Sequence, residues 1–186
     1  NYMAGEEQSR GNSEESVKEA LFSILERKKP PLPDSFISRV DRVNRTLQNE
    51  NEYIRPYTTG DELRRPGGLI LLKKTIPTII VPDLHARMDF FLSLLLSENE
   101  NGLTNLQMCA RDMLQIVCVG DGFHAEGRAS DRWQKALMEF SEGYKKHRYM
   151  DEEMKESLGI MEMVIEMKTA FPDNFHFLKG NHENIA

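Results

Sequence analysis

The chain has little cysteine, with only Cys109 and Cys118 among its 186 residues. A disulfide framework needs more cysteines than two, so we expect a reducing compartment and a cytoplasmic location. Cys118 lies in an apolar run and is predicted to be a small core residue. No apolar run approaches the roughly 18 residues of a membrane-spanning helix, and residues 1–10 lack the apolar centre of a signal peptide. The sequence therefore predicts no membrane partner.

An excess of basic charge is also missing. The 24 lysines and arginines are outnumbered by 30 aspartates and glutamates, which gives a formal net charge of −6. Without a basic stripe, binding to nucleic acid is disfavoured. A phosphate substrate is still compatible with this balance, because bound metal ions supply local positive charge.

The sequence predicts three regions. Residues 1–13 are polar and acidic and predict disorder. Residues 14–68 contain two helical patterns, the second with Asp34 as its expected N-cap, followed by a connector rich in proline and glycine. In residues 69–186 short apolar runs alternate with helical patterns, which is typical of a layered α/β domain.

The last region contains both strand and helix signals. Candidate strands are 69–72, 75–81, 114–119 and 174–178, and helical patterns cover 88–96, 132–147 and 151–169. The last three strand candidates are predicted to be buried because they are apolar over most of their length. The order of strand, helix, strand, helices and strand predicts a partly parallel sheet with flanking helices.

Polar residues follow directly after each of the last three candidate strands. They are Asp83 and His85 after the first, Asp121 and His124 after the second, and Asn181, His182 and Glu183 after the third. In α/β sheets functional groups gather beyond the carboxyl ends of the strands. We therefore expect these side chains to share one pocket.

The residue types in this pocket suit a divalent metal. Carboxylate, imidazole and amide oxygen together favour Mn, Fe or Zn, and the lack of thiolates argues against a structural zinc site. Asp121 could bridge two ions about 3.5–4 Å apart, the spacing of two-metal hydrolytic centres. Taken singly, each segment has another explanation, such as a turn or a helix cap. Their joint occurrence after three strands favours the metal site.

The three segments resemble the motifs of the calcineurin-like metallophosphoesterase superfamily, and most closely a bacterial-type variant of its phosphoprotein-phosphatase-like branch. That family carries G-D-x-H-G, G-D-x-x-D-R-G and G-N-H-E. Here residues 82–86 are P-D-L-H-A, residues 120–128 are G-D-G-F-H-A-E-G-R, and residues 180–183 are G-N-H-E. The resemblance covers about residues 75–186 and implies a layered metallophosphoesterase-type sheet, preceded by a helical region without a counterpart.

The resemblance implies a phosphatase that hydrolyses phosphoesters with a water activated by two divalent ions (Mn, Fe or Zn). It implies that Asp83 and His85 hold the first metal, that Asp121 bridges both, and that Asn181 holds the second. His182 would protonate the leaving oxygen or steady the phosphoryl group. The implied partner is a phosphorylated protein or a small phosphoester substrate, and the oligomeric state stays open.

The second motif departs from the family pattern. His124 stands where the family has an Asp that orients the catalytic histidine; it either contacts the phosphate or pairs with His182, and the alternative is a solvated loop residue. Ala125 replaces a phosphate-binding Arg, and Arg128 is a candidate for that task, with a surface arginine as the alternative. Ala86 replaces a glycine, which is tolerable if the position needs no positive φ.

Two further expectations concern completeness. The family carries more metal-binding histidines after the third motif, so we expect the chain to be the N-terminal part of a longer protein, with an incomplete domain. A helical insertion at about 130–170 is expected between the second and third motifs, and the hypothesis is that it forms a cap over the site.

The alternative to an enzyme is a catalytically impaired binding or scaffold module. The replacements at His124 and Ala125 favour this alternative.

Overall fold

A computed structural model describes residues 2–60 and 62–183, with side chains from residue 14 onward. The α-helices are α1 (Tyr2–Glu26), α2 (Pro33–Gln48), α3 (Met88–Leu96), α4 (Asn105–Ala110), α5 (Ser130–Ser141) and α6 (Arg148–Ala170). The strands are β1 (Thr78–Val81), β2 (Gln115–Cys118) and β3 (Phe175–Phe177), and a 3-10 helix covers Glu126–Ala129. Among the described residues, none of the helices combines the length and apolar composition that a membrane span requires.

The three strands form one parallel sheet in the order β1–β2–β3. Val81 pairs with Cys118, and Cys118 pairs with Phe177, so the carboxyl ends of all three strands lie at the same edge. The central strand β2 is buried along its whole length, including Cys118, as predicted. This combination of helices with a small parallel sheet is compatible with the predicted α/β class.

The hydrophobic core lies between one face of the sheet and the helices. It includes Leu21 and Ile24 of α1, Phe91 and Leu95 of α3, Ile160, Met163 and Met167 of α6, Ile116 of β2 and Phe175 of β3. On each helix these residues recur every three or four positions, which puts them on one face. Burying each such side chain contributes roughly 1.5–3 kcal/mol, so this face fixes the helices against the sheet.

The long helix α6 belongs to this core. It follows β2 and α5 along the chain, precedes β3, and packs against α1, α2, α3, α5 and β3. Gly159 lets α6 approach α3 closely, because a Cβ at this position would collide with Sδ of Met88. Helix α6 is therefore part of the hydrophobic core of the domain, and the hypothesis that it forms a cap over the site does not hold.

Ion pairs join the N-terminal helices to α6. The fully buried carboxylate of Glu162 pairs with Arg27 and Arg39, and Glu166 pairs with Arg39 and Arg42. A buried carboxylate is stable only when cationic partners compensate for its lost hydration. These pairs therefore tie α1 and α2 to the domain that carries the strands.

Two helix starts differ from the sequence prediction. Helical backbone is present from Tyr2, within the 1–13 segment for which the sequence predicts disorder; residue 1 lies outside the described residues. In α2 the N-cap position is Leu32, so Asp34 is not the cap. It lies in the first turn instead, where its negative charge interacts favourably with the positive end of the helix dipole.

Two strand predictions are corrected. Residues 69–72 form no strand; the amide of Leu71 donates to the carbonyl of Ile54 at 2.7 Å, beside the connector. The strand predicted at 75–81 begins only at Thr78, after a proline that cannot donate a ladder hydrogen bond. Because β1 is at the edge of the three-stranded sheet, Ile80 is 69% exposed rather than buried.

Candidate functional site

The first and second motifs are joined by backbone hydrogen bonds at the carboxyl edge of the sheet. The amides of Leu84 and His85 donate to the carbonyl of Asp121 at 3.1 and 2.8 Å, and the amide of Ala86 donates to the carbonyl of Gly122 at 2.8 Å. These main-chain hydrogen bonds hold the two loops in a fixed relative position.

Two glycines bring the third motif against the second. A Cβ at Gly120 would collide with the backbone of Gly180, and a Cβ at Gly180 would collide with the carboxylate of Asp121. Gly120 also has φ +110°, which side-chain-bearing residues rarely adopt. This close approach allows the amide of His182 to donate to Oδ1 of Asp121 at 2.8 Å.

The carboxylate of Glu183 stabilises the same contact between the second and third motifs. It accepts hydrogen bonds from the amides of Asp121 at 2.9 Å, Gly122 at 2.7 Å and Gly180 at 2.8 Å. A carboxylate satisfied by backbone donors in two loops is a positioning group, because its oxygens are already occupied. Glu183 therefore supports the loops of the second and third motifs.

Asp83, His85 and Asp121 form the first group that could hold a metal ion. Each offers a ligand atom, and these atoms all lie within 4.8 Å of one another. Asp121 is buried whereas Asp83 is exposed, so the group extends from the protein interior to the solvent-accessible surface. Nδ1 of His85 is buried and has no hydrogen-bond partner within the described part of the chain. Two carboxylates and one imidazole are donors that fit Mn, Fe or Zn.

A second group of ligands contains a residue that the sequence interpretation missed, Glu126. Its carboxylate lies 3.1 Å from Nε2 of His182 and 3.5 Å from Nε2 of His85. The three ligand atoms of His85, Glu126 and His182 also lie within 4.8 Å of one another. The available signal was the position of Glu126, five residues after Asp121 in the segment where the sequence departs from the family pattern.

His124 lies beside His182. Their rings are 5.6 Å apart in an edge-to-face arrangement, and the ring of His124 is 5.7 Å from that of Trp133. The His85 and His182 rings are 5.5 Å apart, also edge to face. Three histidines, one from each motif, are thus gathered at the site, with His85 and His124 beside His182.

Arg128 and Asn181 occupy the rim of the site. The guanidinium of Arg128 donates to Glu156 at 3.1 Å and reaches the carbonyl of His85 at 3.5 Å. Asn181 is exposed, and its side chain has no hydrogen-bond partner among residues 2–60 and 62–183. The structure therefore brings Arg128 next to a metal-ligand candidate, whereas the side chain of Asn181 makes no hydrogen bond within the described residues.

Backbone strain is concentrated in the same loops. Five residues other than glycine have a positive φ there: His85 at +42°, Ala86 at +59°, Asp121 at +50°, His124 at +64° and Glu126 at +45°. Each such conformation costs on the order of 1–3 kcal/mol, and residues of this kind cluster at functional sites. Ala86 does adopt the left-handed conformation of the glycine it replaces, so the condition for an unstrained replacement is not met.

Helix α6 supports the loop of the second motif. Its buried Glu153 accepts from the amide of Ala125 at 3.1 Å, and Oγ of Ser157 accepts from the amide of His124 at 3.2 Å. Arg132 donates to the other oxygen of Glu153 at 2.5 Å from one nitrogen and at 3.0 Å from another. The loop of the second motif, where the sequence departs from the family pattern, is therefore supported by Glu153, Ser157 and Arg132.

Charge at the rim is balanced by one acidic residue of α6. Burial alone would raise the pKa of Glu156, but hydrogen bonds and charge from Arg132 and Arg128 outweigh it and leave the pKa lowered. Burial alone would lower the pKa of Arg132, but hydrogen bonds and charge from Glu156 and Glu153 outweigh it and leave the pKa raised. Glu156 therefore stays ionised and holds Arg128 beside the site.

No protein-family model matches this chain, and neither the curated proteins nor the solved structures contain a match to it. What the site does has to follow from its own residues.

Proposed function

We propose that the chain carries the active site of a metal-dependent phosphoesterase that hydrolyses phosphoesters to an alcohol and phosphate. The observation behind the proposal is the convergence of Asp83, His85 and Asp121 with His182 at one edge of a parallel sheet. Functional groups in such sheets collect at this edge. The resemblance of the three motifs to metallophosphoesterases gives the reaction class.

The metal ligands in this proposal are Asp83, His85 and Asp121, with Asn181 for a second ion. Bound divalent ions (Mn, Fe or Zn) would lower the pKa of a water molecule and offset the charge of the phosphoryl oxygens. The chain contributes the fixed relation between the ligands, because backbone hydrogen bonds join the two loops that carry them.

His182 is the proton donor in this proposal. Its Nε2 is 3.1 Å from the carboxylate of Glu126, and its backbone amide is held by Asp121. A carboxylate at hydrogen-bond distance favours one orientation of the ring. Glu126 is thus the positioning residue for His182, and the ring of His124 lies 5.6 Å from that of His182.

Arg128 is the candidate for binding the phosphate. Its side chain is 46% exposed, and its guanidinium lies at the rim next to His85. A guanidinium can donate two parallel hydrogen bonds to a phosphate, which a lysine cannot do with the same geometry. The substrate in this proposal is a phosphorylated protein or a small phosphoester, which would approach from the exposed side formed by Asp83 and Arg128.

The test combines metal binding with turnover. Binding of Mn²⁺ is measured by electron paramagnetic resonance, and hydrolysis of p-nitrophenyl phosphate is measured with added Mn²⁺. Asp121→Asn keeps an acceptor for the amide of His182 but removes the charge, so both affinity and turnover should fall by at least about 100-fold. Asp151→Asn on the exposed side of α6 is the matched control and should change neither.

Two results would overturn the proposal. One is an Asp121→Asn variant with the turnover of the unsubstituted protein. The other is an unsubstituted protein that neither binds Mn²⁺ nor hydrolyses the substrate, which would favour a binding or scaffold module.

A further inference from the structure

The two groups of candidate metal ligands share one residue, His85. Nε2 of His85 lies 3.8 Å from Oδ2 of Asp83 on one side and 3.5 Å from Oε2 of Glu126 on the other. The other ring nitrogen, Nδ1, is buried without a partner within the described residues. Since one ring nitrogen can coordinate only one ion, an ion held with Asp83 and an ion held with Glu126 compete for His85.

The two groups differ in chemistry. Asp83, His85 and Asp121 offer two carboxylates and one imidazole, an oxygen-rich set that suits Mn²⁺. His85, Glu126 and His182 offer two imidazoles and one carboxylate, a set that zinc takes in sites that keep a fourth position open. The same loops therefore present two sites with different metal preferences.

Two separations in the second group are close to those between the ligands of a tetrahedral ion. Zinc bonds of about 2.0–2.2 Å to nitrogen and oxygen put neighbouring ligand atoms of a tetrahedron roughly 3.4 Å apart. Oε2 of Glu126 is 3.5 Å from Nε2 of His85, and Oε1 of Glu126 is 3.1 Å from Nε2 of His182, so each carboxylate oxygen is close to this spacing from one imidazole. All three side chains are partly exposed, so an ion can reach them from solvent.

The backbone keeps these ligands in place. Glu126 has φ +45° and His85 has φ +42°, so both are held in conformations that the loops impose. His182 is fixed by the hydrogen bond from its amide to Asp121. Preorganised ligands lose little conformational entropy on binding, which favours affinity.

We propose that His85, Glu126 and His182 form a zinc site that excludes the Asp83–His85–Asp121 site. Zinc in this position takes Nε2 of His182, the proton donor of the proposed reaction, and withdraws His85 from the other ligands. Zinc is then an inhibitor of the proposed phosphoesterase, and Glu126 is the residue that makes inhibition possible. The inhibitory part rests on the proposed function, whereas the zinc site does not.

Cobalt reports on the zinc site without a measurement of activity. Co²⁺ bound by two imidazoles and a carboxylate with four ligands gives intense visible absorption, whereas six-coordinate Co²⁺ in an oxygen-rich site absorbs weakly. The 186-residue chain is titrated with Co²⁺, and Zn²⁺ is then added to displace it. We expect the intense bands to appear with Co²⁺ and to disappear with Zn²⁺.

Two variants separate the sites. Glu126→Gln should lose the intense bands and at least about 100-fold in zinc affinity, because it removes a ligand rather than a supporting group. Asp83→Asn should keep the bands and lose Mn²⁺ binding measured by electron paramagnetic resonance. In the unsubstituted chain, added Zn²⁺ should displace bound Mn²⁺.

The proposal is overturned if Glu126→Gln binds zinc as tightly as the unsubstituted chain, in which case Glu126 and His182 form an ion pair only. It is also overturned if Zn²⁺ and Mn²⁺ bind together without competition. Failure of the phosphoesterase proposal is a separate result: intense cobalt bands that depend on Glu126 would persist in a chain with no turnover.

Discussion

The two ends of the small sheet both carry polar side chains, yet they differ in how those side chains are used. At the amino end, Lys73, Asp112, Gln115 and Asn174 bond to one another and to the backbone. At the carboxyl end, the carboxylates and histidines of three motifs face a common space. Sequence composition alone does not separate the two ends.

At the amino end the polar groups have partners. Gln115 donates to the carbonyl of Lys73 at 2.7 Å and accepts from its amide at 3.0 Å, and Asn174 donates to the carbonyl of Leu114 at 2.8 Å. Nζ of Lys73 donates to Asp112 at 2.5 Å and to Asn174 at 2.9 Å. Buried polar groups that bond in this way stabilise a structure and leave nothing for a ligand.

At the carboxyl end several residues are strained, and not every buried polar atom has a partner among the described residues. Five strained residues, among them His85, Asp121 and Glu126, lie in the loops of this end, and Nδ1 of His85 has no partner in the described chain. Like charges and strained loops are destabilising unless something else compensates for them. Asp112 is strained at the amino end too, with φ +58°, so strain alone does not mark a site. The comparison teaches that several strained residues gathered around an unpaired ring nitrogen indicate a site, whereas polar groups that bond to one another indicate structure.

The largest expected effect tests the close approach at the carboxyl end. Gly120→Ala combines a left-handed backbone penalty of about 1–2 kcal/mol with overpacking of about 1–3 kcal/mol. We expect the free energy of unfolding to fall by about 3 kcal/mol in urea denaturation, on the sum of these two costs.

Gly102→Ala is the matched control, because Gly102 has φ +73° but open space around its Cβ position. It should show the backbone penalty alone. Equal losses in the two variants would mean that contact between Gly120 and Gly180 contributes nothing.

The second prediction locates the acid sensitivity of the protein away from the site. Burial, and then the charge of Lys168, lower the pKa of His176 from 6.5 to about 4. Between these values the unfolded chain binds a proton here and the folded chain does not, so stability is lost as the pH falls from 6.5 to 4. Full protonation would cost about 3 kcal/mol by linkage.

The measurement is the free energy of unfolding at pH 7 and pH 5 for the unsubstituted protein and for His176→Gln. The loss between the two pH values should be smaller in the variant by about 1–2 kcal/mol. His147→Gln on the protein surface should leave the loss unchanged, and an equal change in both variants would contradict the prediction.

The third prediction asks whether the two ends can be perturbed independently. Asn174→Ala at the amino end leaves the carbonyl of Leu114 without a donor and should cost about 1–3 kcal/mol of stability. Binding of Mn²⁺, measured by electron paramagnetic resonance, should stay the same.

Glu183→Gln is the corresponding change at the carboxyl end. It weakens the support of both loops, so Mn²⁺ affinity should fall by about 10–100-fold. Loss of Mn²⁺ affinity in Asn174→Ala would show that the two ends are coupled.

The smallest expected effect on stability concerns the rim. Arg128→Ala removes a partly exposed ion pair with Glu156, so the free energy of unfolding should change by less than about 1 kcal/mol. In the proposed enzyme the inhibition constant for inorganic phosphate should rise, and Arg128→Lys should restore only part of the affinity. An unchanged inhibition constant in Arg128→Ala would remove Arg128 from the site.

Periodicity predicted much of the local structure. The helix expected over 88–96 is α3 with the same bounds, and the apolar run at 114–119 contains β2. His176 is buried, as its place between two phenylalanines suggests. The short helix α4 was missed because its six residues are too few to show a period; the capping box of Thr104 and Gln107 defines its start.

The motifs predicted which strand ends would meet, but not how they would be arranged. The sequence by itself determined the positions of Asp83, His85, Asp121 and His182 relative to the strands, because strand and motif are adjacent in the chain. Only the tertiary structure placed Glu126 between His85 and His182 and required a left-handed Ala86. The reason is physical: a residue's secondary structure follows from its near neighbours, whereas its distance to a side chain about fifty residues away follows from how loops are packed against the sheet and α6.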